Sequence, residues 1–289
     1  MEPGGSTVPG EPAPRPTATT HTAVTHAVRE GVARVVLCHP ARRNALTGEM
    51  WRRIPPLLRR LSADPGVRVL VLTGHGETFC AGADIRDLRA GDAPQDLAVA
   101  AEEAIAAFPG PSLAVIRGDC VGGGCQLAAA CDLRLAAAGA RFGVTPARLG
   151  LVYPASSTAR LTRLIGPSAT KHLLFSAELI DTDRALRVGL VDEVLPPDAL
   201  ERRAGRLIAT LLSRSALTQR AAKEFVDHPP ADPAAGTLRT ERWRTAQRES
   251  GEAAEGVAAF LERRPPSFRW AGGIDPPDRA PGVRVPPPG

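Results

Sequence analysis

Three consecutive glycines, Gly122 to Gly124, lead from an apolar run directly into a helical stretch in the segment VGGGCQLAAACDLRLA. Glycine weakens a helix or a strand unless the main chain must go where a side chain cannot. We therefore expect a close approach to the backbone at this point. Two sources fit: a tight strand-to-helix turn packed against a neighbouring element, and a ligand that reaches the main-chain amides.

The chain around these glycines alternates short β-branched runs with segments of helical period, which indicates an α/β fold. Thr47 is the predicted N-cap of a helix over residues 48–63, in which Pro55 and Pro56 predict a kink. The predicted strands lie at residues 22–28, 32–38, 67–73, 113–117 and 133–135. From about Pro154 they give way to predicted helices at residues 155–164, 168–175, 181–188, 198–212, 217–226 and 253–263.

The length of 289 residues suits one large α/β core with appendages. Proline and glycine are dense at both ends, where apolar periodicity is absent, so residues 1–21 and 271–289 are predicted to be disordered. Between them we predict a mixed core over residues 22–196 and a helical C-terminal region over residues 197–270.

Composition argues against several classes of protein. The uncharged apolar stretches fall short of the roughly 20 residues that a membrane span requires, and no basic segment with a following apolar run resembles a secretory signal. The five cysteines show no CxxC spacing, so neither a metal site nor a redox motif is predicted. These features predict a cytoplasmic protein that does not associate with a membrane.

The formal net charge of +5 comes almost entirely from arginine, because Lys171 and Lys223 are the only lysines. The arginines are scattered and lack the aromatic interleaving of nucleic-acid sites, so no nucleic-acid partner is expected. Their excess fits either a solvated surface or contacts with a polyanionic small molecule.

A second glycine-containing turn lies in TGHGETFCAGADIRDL, which leaves a predicted strand and enters a helix near Asp84. It lacks the GxGxxG and GxxxxGK spacings, so it gives little support to a dinucleotide or nucleoside triphosphate site. If both glycine turns present an N–H to one point, they form a hole for an oxygen that becomes negative during a reaction. The helix that starts at Gly123 would add its positive dipole end.

Six segments, taken in order, resemble the enoyl-CoA hydratase/isomerase family, also called the crotonase superfamily. This resemblance implies a crotonase-like spiral of ββα units with a helical C-terminal region that forms trimers or dimers of trimers. It also implies an acyl-CoA thioester as ligand, with coenzyme A as part of the substrate and no separate cofactor. The segments are ARRNALT (41–47), FCAGADI (79–85), GGGCQLAAACDLRLA (122–136), ARFGVTPARLGLV (140–152), ALRVGLVDEVLP (185–196) and EGVAAFLERRPPSF (255–268).

The resemblance also implies site residues. The backbone amides of Cys80 and Gly123 match the family's oxyanion hole, while the Cys80 side chain is expected to be a small buried hydrophobe. A helix N-cap is the simpler role for Asp84. Residues matching the adenine and pantetheine path are Arg43, Asn44, Ala45, Ala83, Asp84 and Ile85. Residues matching a stretch that in relatives reaches the CoA of a neighbouring subunit are Arg263, Arg264 and Phe268.

The departures from the family pattern concern acid–base chemistry. Where family hydratases carry two glutamates, this chain has Gln126 and Pro146, and the segment where isomerases often carry a carboxylate reads YPASS, residues 153–157. Gln126 lies one helical turn beyond Gly123, so its amide is a candidate to point at the thioester or to hold a water, but an amide does not titrate usefully. Because a positioned acid or base typically contributes about 10²–10⁴ in rate, ordinary hydration is expected to be very slow.

Three other residues are considered as replacements. Asp119 precedes the glycines, Tyr153 lies near the missing isomerase carboxylate, and His75 lies in the other turn. Each has an alternative role: Asp119 in satisfying turn amides, Tyr153 in packing, and His75 in solvent. Asp119 is the first choice.

Three functions therefore stay open. The first is hydratase or isomerase chemistry on an enoyl thioester, and the second is another crotonase-type reaction such as thioester hydrolysis or decarboxylation. The third is a catalytically silent acyl-CoA-binding subunit that acts through a partner.

Overall fold

A computed structural model describes residues 22–90, 95–230 and 232–272. The chain divides into two compact units, of which the first ends at Leu212 and the second begins at Ser213. The segments predicted to be disordered, 1–21 and 271–289, lie outside the described residues except for residues 271 and 272. The domain boundaries drawn from the sequence stay predictions.

The first unit contains eight strands among its described residues. Six form one sheet in the order β1-β2-β3-β4-β6-β8, in which only the β1–β2 pair is antiparallel, while β5 and β7 form a separate parallel pair. The strands are β1 Ala23–Arg29, β2 Val32–Cys38, β3 Val69–Gly74, β4 Ser112–Ile116, β5 Asp119–Val121, β6 Leu133–Ala137, β7 Arg141–Gly143 and β8 Glu193–Leu195.

The helix predicted over residues 48–63 is present, and Thr47 is its N-cap, since Thr47 Oγ1 accepts from Met50 N at 3.2 Å. That helix continues through Pro55 and Pro56, where the sequence predicted a kink, whereas the longest helix is broken at Gly166 (φ 75°). The helices of the first unit are α1 Gly48–Ala63, α2 Ile85–Ala90, α3 Gln95–Ala106, α4 Gly123–Ala130, α5 Ala155–Ser176, α6 Thr182–Arg187 and α7 Leu200–Leu212.

The large sheet is covered on both faces, which explains why its strands read as continuous apolar runs. One face joins the main core through residues such as Leu72 and Ala114, together with Trp51 of α1. The alternate residues, such as Val71 and Leu113, pack in a second cluster that includes residues of α7. The α/β class predicted from the sequence is confirmed.

The second unit is helical over its described residues, with α8 Ala216–Asp227, α9 Pro233–Ser250 and α10 Glu252–Leu261. Ser215 caps α8 and Asp232 caps α9 through side-chain oxygens. Within this unit Trp243 Nε1 donates to Glu224 at 2.9 Å. Among the helices of the described ranges, none combines the length and the apolar character needed to cross a membrane.

Candidate functional site

The glycines that join β5 to α4 lie where the backbone conformation or the packing of neighbouring residues disfavours a side chain. Gly122 has φ 54° and ψ −120°, and an added Cβ on Gly123 would lie 2.7 Å from the Trp51 ring. On Gly124 an added Cβ would lie 2.6 Å from the carbonyl oxygen of Cys80. The expectation of a tight turn packed against neighbours is therefore confirmed at Gly123 and Gly124.

The main chain of Cys80 is fully used by its pairing with β5. Cys80 N donates to Asp119 O at 2.8 Å, and Cys80 O accepts from Val121 N at 2.9 Å. The amide that the resemblance assigned to an oxyanion hole is thus engaged within the protein, which corrects that assignment. Burial raises the pKa of the Cys80 thiol to about 12, so its side chain is not a nucleophile at neutral pH.

The amide of Ala83 is oriented differently. Leu46 forms a parallel bridge with Ala83. The hydrogen bonds of this bridge go to the two neighbours of Ala83, because Leu46 N donates to Gly82 O and Leu46 O accepts from Asp84 N, both at 2.8 Å. The Ala83 N–H consequently points away from Leu46.

Ala83 and Gly123 lie side by side. A Cβ added to Gly123 would lie 3.8 Å from Ala83 N. Gly123 is the first residue of α4, so its N–H has no acceptor inside the helix. Over the described parts of the chain, no acceptor pairs with either amide. Two N–H groups without a partner among the described residues therefore adjoin at the start of a helix, which suits an anionic oxygen.

Asp119, the first choice as a replacement acid or base, is held in ion pairs. Arg43 Nη1 donates to its Oδ2 at 3.0 Å, and Arg141 Nε donates to its Oδ1 at 2.9 Å. The carboxylate is buried, while both guanidinium groups are largely exposed. The partners are arginines rather than turn amides, and the carboxylate anchors Arg43 beside the glycine turns.

Of the other residues of the predicted CoA path, Asn44 and Ala45 form hydrogen-bond contacts within the protein and Ile85 is exposed to solvent. Asn44 has a left-handed backbone (φ 57°), and its Nδ2 donates to the carbonyl oxygens of His75 at 2.8 Å and Thr78 at 2.6 Å. The Ala45 carbonyl contacts His39 Nδ1 at 2.9 Å. The Ile85 side chain is exposed.

Asp84 behaves as the predicted N-cap. Its Oδ1 accepts from Arg86 N at 2.9 Å at the start of α2. The hydrogen bonds from Arg86 hold the pKa of Asp84 below its usual range. This carboxylate is therefore an ionised cap at neutral pH.

Gln126 belongs to a buried polar network that the sequence analysis did not foresee. Its Nε2 donates to Glu102 Oε2 at 2.7 Å and to Ser157 Oγ at 2.9 Å. The Ser157 hydroxyl donates to the same Glu102 oxygen, and Arg160 Nε donates to Glu102 Oε1 at 2.6 Å. Glu102 is only 1% exposed. We name Gln126, Glu102, Ser157 and Arg160 the amide–carboxylate network.

Tyr153 lies beside this network and packs against the main core. Burial, with smaller effects from Cys125 and Glu102, raises the pKa of Tyr153 well above its usual range. The phenol therefore keeps its proton at neutral pH and is a hydrogen-bond donor rather than a base.

Pro146, the other position of a family glutamate, begins a short 3-10 turn at residues 146–148.

The C-terminal residues lie in the second unit. Arg264 donates to both oxygens of Glu255 at 2.6 and 2.9 Å, and a Cβ added to Gly256 would lie 3.6 Å from the Phe268 ring. Arg263 has a left-handed backbone (φ 54°). Contact of Arg263, Arg264 and Phe268 with the CoA of a neighbouring subunit stays a prediction.

Comparisons with known proteins agree with this geometry. The family model for enoyl-CoA hydratase/isomerase matches residues 27–271. A crotonyl-CoA hydratase from Syntrophomonas wolfei is 32% identical over 254 residues, which are 83% of this chain and 95% of that protein. A 2,3-dehydroadipyl-CoA hydratase from Escherichia coli is 31% identical over 249 residues, or 83% of this chain and 96% of that protein.

The three-dimensional comparison gives the same result. A crystal structure of an enoyl-CoA hydratase/isomerase family member superposes with a TM-score of 0.82 at 36% sequence identity, covering 88% of this chain and 100% of the other. The crotonase-like fold expected from the resemblance is confirmed.

Proposed function

Since this chain belongs to the enoyl-CoA hydratase/isomerase family, we propose that it is an enzyme that stabilises negative charge on the carbonyl oxygen of an acyl-CoA thioester. The proposed donors are the amides of Ala83 and Gly123. Cys80, whose amide is already hydrogen-bonded, supports the turn that carries Ala83. Arg43, held by Asp119, would contact the CoA moiety, which is part of the substrate, so no separate cofactor is proposed.

The observation that carries this proposal is the pair of adjoining amides for which the described residues supply no acceptor. When a thioester becomes an enolate or a tetrahedral intermediate, its carbonyl oxygen gains negative charge. Main-chain N–H groups that are already oriented stabilise that charge without reorganisation, and removal of one such donor typically costs about 10²–10³ in kcat. The positive end of α4 acts in the same direction.

For the reaction itself we propose hydratase or isomerase chemistry on an enoyl thioester, supported by relatives named as hydratases. For hydration, the phenol of Tyr153 is the proposed proton donor to the α-carbon, and the phenolate left behind takes the proton that the attacking water releases, which restores the phenol. A second candidate is thioester hydrolysis or decarboxylation, in which the oxyanion site contributes most. It is favoured by Gln126 and Pro146 at the acid positions and by the double ion pairing of Asp119.

A catalytically silent acyl-CoA-binding subunit is the third candidate, because it also needs the amide pair but no acid or base.

For assembly we propose a homotrimer or a dimer of trimers in the cytoplasm. Sedimentation of the purified chain checks the oligomeric state.

A panel of acyl-CoA thioesters distinguishes the candidates. Hydration of crotonyl-CoA or a shift of its double bond supports the first, release of free CoA or of carbon dioxide supports the second, and binding without turnover supports the third. A folded protein that neither binds nor converts any thioester contradicts the proposal.

The carbonyl contact is tested with a matched pair of ligands, butyryl-CoA and the thioether S-butyl-CoA, which lacks only the carbonyl oxygen. Two lost hydrogen bonds should weaken binding by about tenfold. Equal affinity for the two ligands would show that the amide pair does not hold the carbonyl.

A further inference from the structure

The amide–carboxylate network admits one arrangement of hydrogens. Glu102 pairs with Arg160 at 2.6 Å, and an ionised carboxylate only accepts hydrogen bonds. The Gln126 atom that faces it must therefore be the NH₂ nitrogen. Ser157 gives its single hydroxyl hydrogen to Glu102, so its oxygen accepts the second hydrogen of that NH₂ group. Both amide hydrogens of Gln126 are thereby engaged.

The remaining polar atom of Gln126 is Oε1. In the described residues it accepts no hydrogen bond, and it is absent from the fully enclosed, unpaired side-chain atoms of those residues. It therefore borders open space. Gln126 lies one helical turn beyond Gly123, so its side chain projects from the same face of α4 as Gly123.

From this arrangement we infer that Glu102 is a positioning residue, which holds Gln126 so that its carbonyl oxygen, and not its NH₂ group, faces the thioester. This inference rests on the proposed function of the same site. The acceptor would hold an O–H group, such as a water molecule, beside the reacting carbons without removing its proton. If Glu102 loses its charge, the Gln126 amide can rotate by half a turn and present the wrong atom.

The inference changes what a direct replacement of Gln126 does. Gln126→Glu would place a second carboxylate against Glu102, where a 2.7 Å hydrogen bond now lies. Two carboxylates that share a site cannot both ionise. The single variant should therefore be less stable and should gain little hydratase activity.

The exchange variant, which combines Glu102→Gln with Gln126→Glu, avoids that repulsion. It keeps the net charge and the side-chain volumes, and the amide introduced at position 102 can donate to the new carboxylate while accepting from Arg160. An acid then occupies position 126. We expect crotonyl-CoA hydration to rise by at least about 10²-fold over the wild-type rate, the low end for a positioned acid or base. No gain in a folded variant that binds crotonyl-CoA overturns the placement of Gln126 at the reacting carbons.

Glu102→Gln alone tests the positioning role, with Glu103→Gln as a matched control. Glu103 is the next residue of α3 and pairs with the same Arg160, but its side chain is 54% exposed. Glu102→Gln should lower kcat by about tenfold with little change in KM, whereas Glu103→Gln should change neither. Equal effects of the two variants, or an effect of Glu102→Gln confined to KM, overturn the inference.

A readout independent of activity separates this inference from the proposed function. In protein labelled with ¹⁵N-glutamine, the NH₂ signals of Gln126, assigned by their loss in Gln126→Leu, should exchange with solvent far more slowly than those of exposed Gln247. Glu102→Gln should remove that protection. Rapid exchange in the wild type overturns the positioning role, and slow exchange without any acyl-CoA binding rejects only the proposed function.

Discussion

The Trp51 ring covers Gly123 so closely that an added Cβ would lie 2.7 Å from ring atom Cζ2. Trp51 is itself buried in the main core, so it cannot move aside without disturbing its neighbours. The position of one of the two unpaired amides is thus fixed by a core aromatic residue from α1.

Gly123→Ala should consequently destabilise the fold by about 1–3 kcal/mol, the usual cost of overpacking a core. Denaturant unfolding measures this change. Gly205 in α7 is the control, because nothing lies within 4 Å of an added Cβ there, and Gly205→Ala should instead stabilise by about 0.5–1 kcal/mol. An equal, small effect of both variants would mean that Trp51 does not press on Gly123.

Cys80→Ala should leave turnover within a few-fold of the wild-type rate, because neither its engaged amide nor its protonated thiol acts on the substrate. The lost sulfur should cost about 1 kcal/mol of stability, at the low end for a buried truncation. Steady-state assays and unfolding curves measure the two effects. Complete loss of turnover in a folded variant would require side-chain chemistry at Cys80.

The same thiol predicts a dependence of stability on alkaline pH. Its pKa rises from the ordinary value of 9.0 to about 12 in the folded state, so its stabilising contribution is complete below pH 9 and is lost between pH 9 and 12. In that range the slope of unfolding free energy against pH should be less steep in Cys80→Ala by up to about 1.4 kcal/mol per pH unit. Identical slopes would contradict the burial of this thiol.

Asp119→Asn tests whether that residue is a base or an anchor. A general base contributes about 10²–10⁴ in rate, whereas an anchor for Arg43 and Arg141 should mainly raise KM, with kcat reduced less than tenfold. Arg141→Gln should give a weaker change of the same kind. A hundredfold fall in kcat with unchanged KM would restore Asp119 as the base.

Local patterns in the sequence predict much of this fold. The β-branched runs predict five of the six strands of the large sheet to within two residues of their observed bounds, and β2 is matched at both ends. The three-residue strands β5, β7 and β8 are too short for a periodic signal. The alanine-rich helix α3 and the polar helix α9 were also missed, and α3 carries Glu102.

The site depended on information that spacing does not hold. Successive amides in an extended segment point in opposite directions. The partners of Cys80 and Ala83, which are Cys120 and Leu46, therefore decide which of the two amides forms a hydrogen bond within the protein. Glu102 reaches Gln126 across 24 residues of chain, and Ser157 reaches it across 31. A glutamate in a helical pattern gives no sign of such a partner.

Glu102 lies on α3 and accepts hydrogen bonds from Gln126 on α4 and from Ser157 and Arg160 on α5. The Glu102 carboxylate thus connects three helices through side-chain hydrogen bonds. Proteins open locally in contiguous cooperative units, and we expect the three helices that share this carboxylate to belong to one such unit. Local fluctuations that expose α3 should therefore release α4 and α5 at the same moment, and with them the helix start that carries the Gly123 amide.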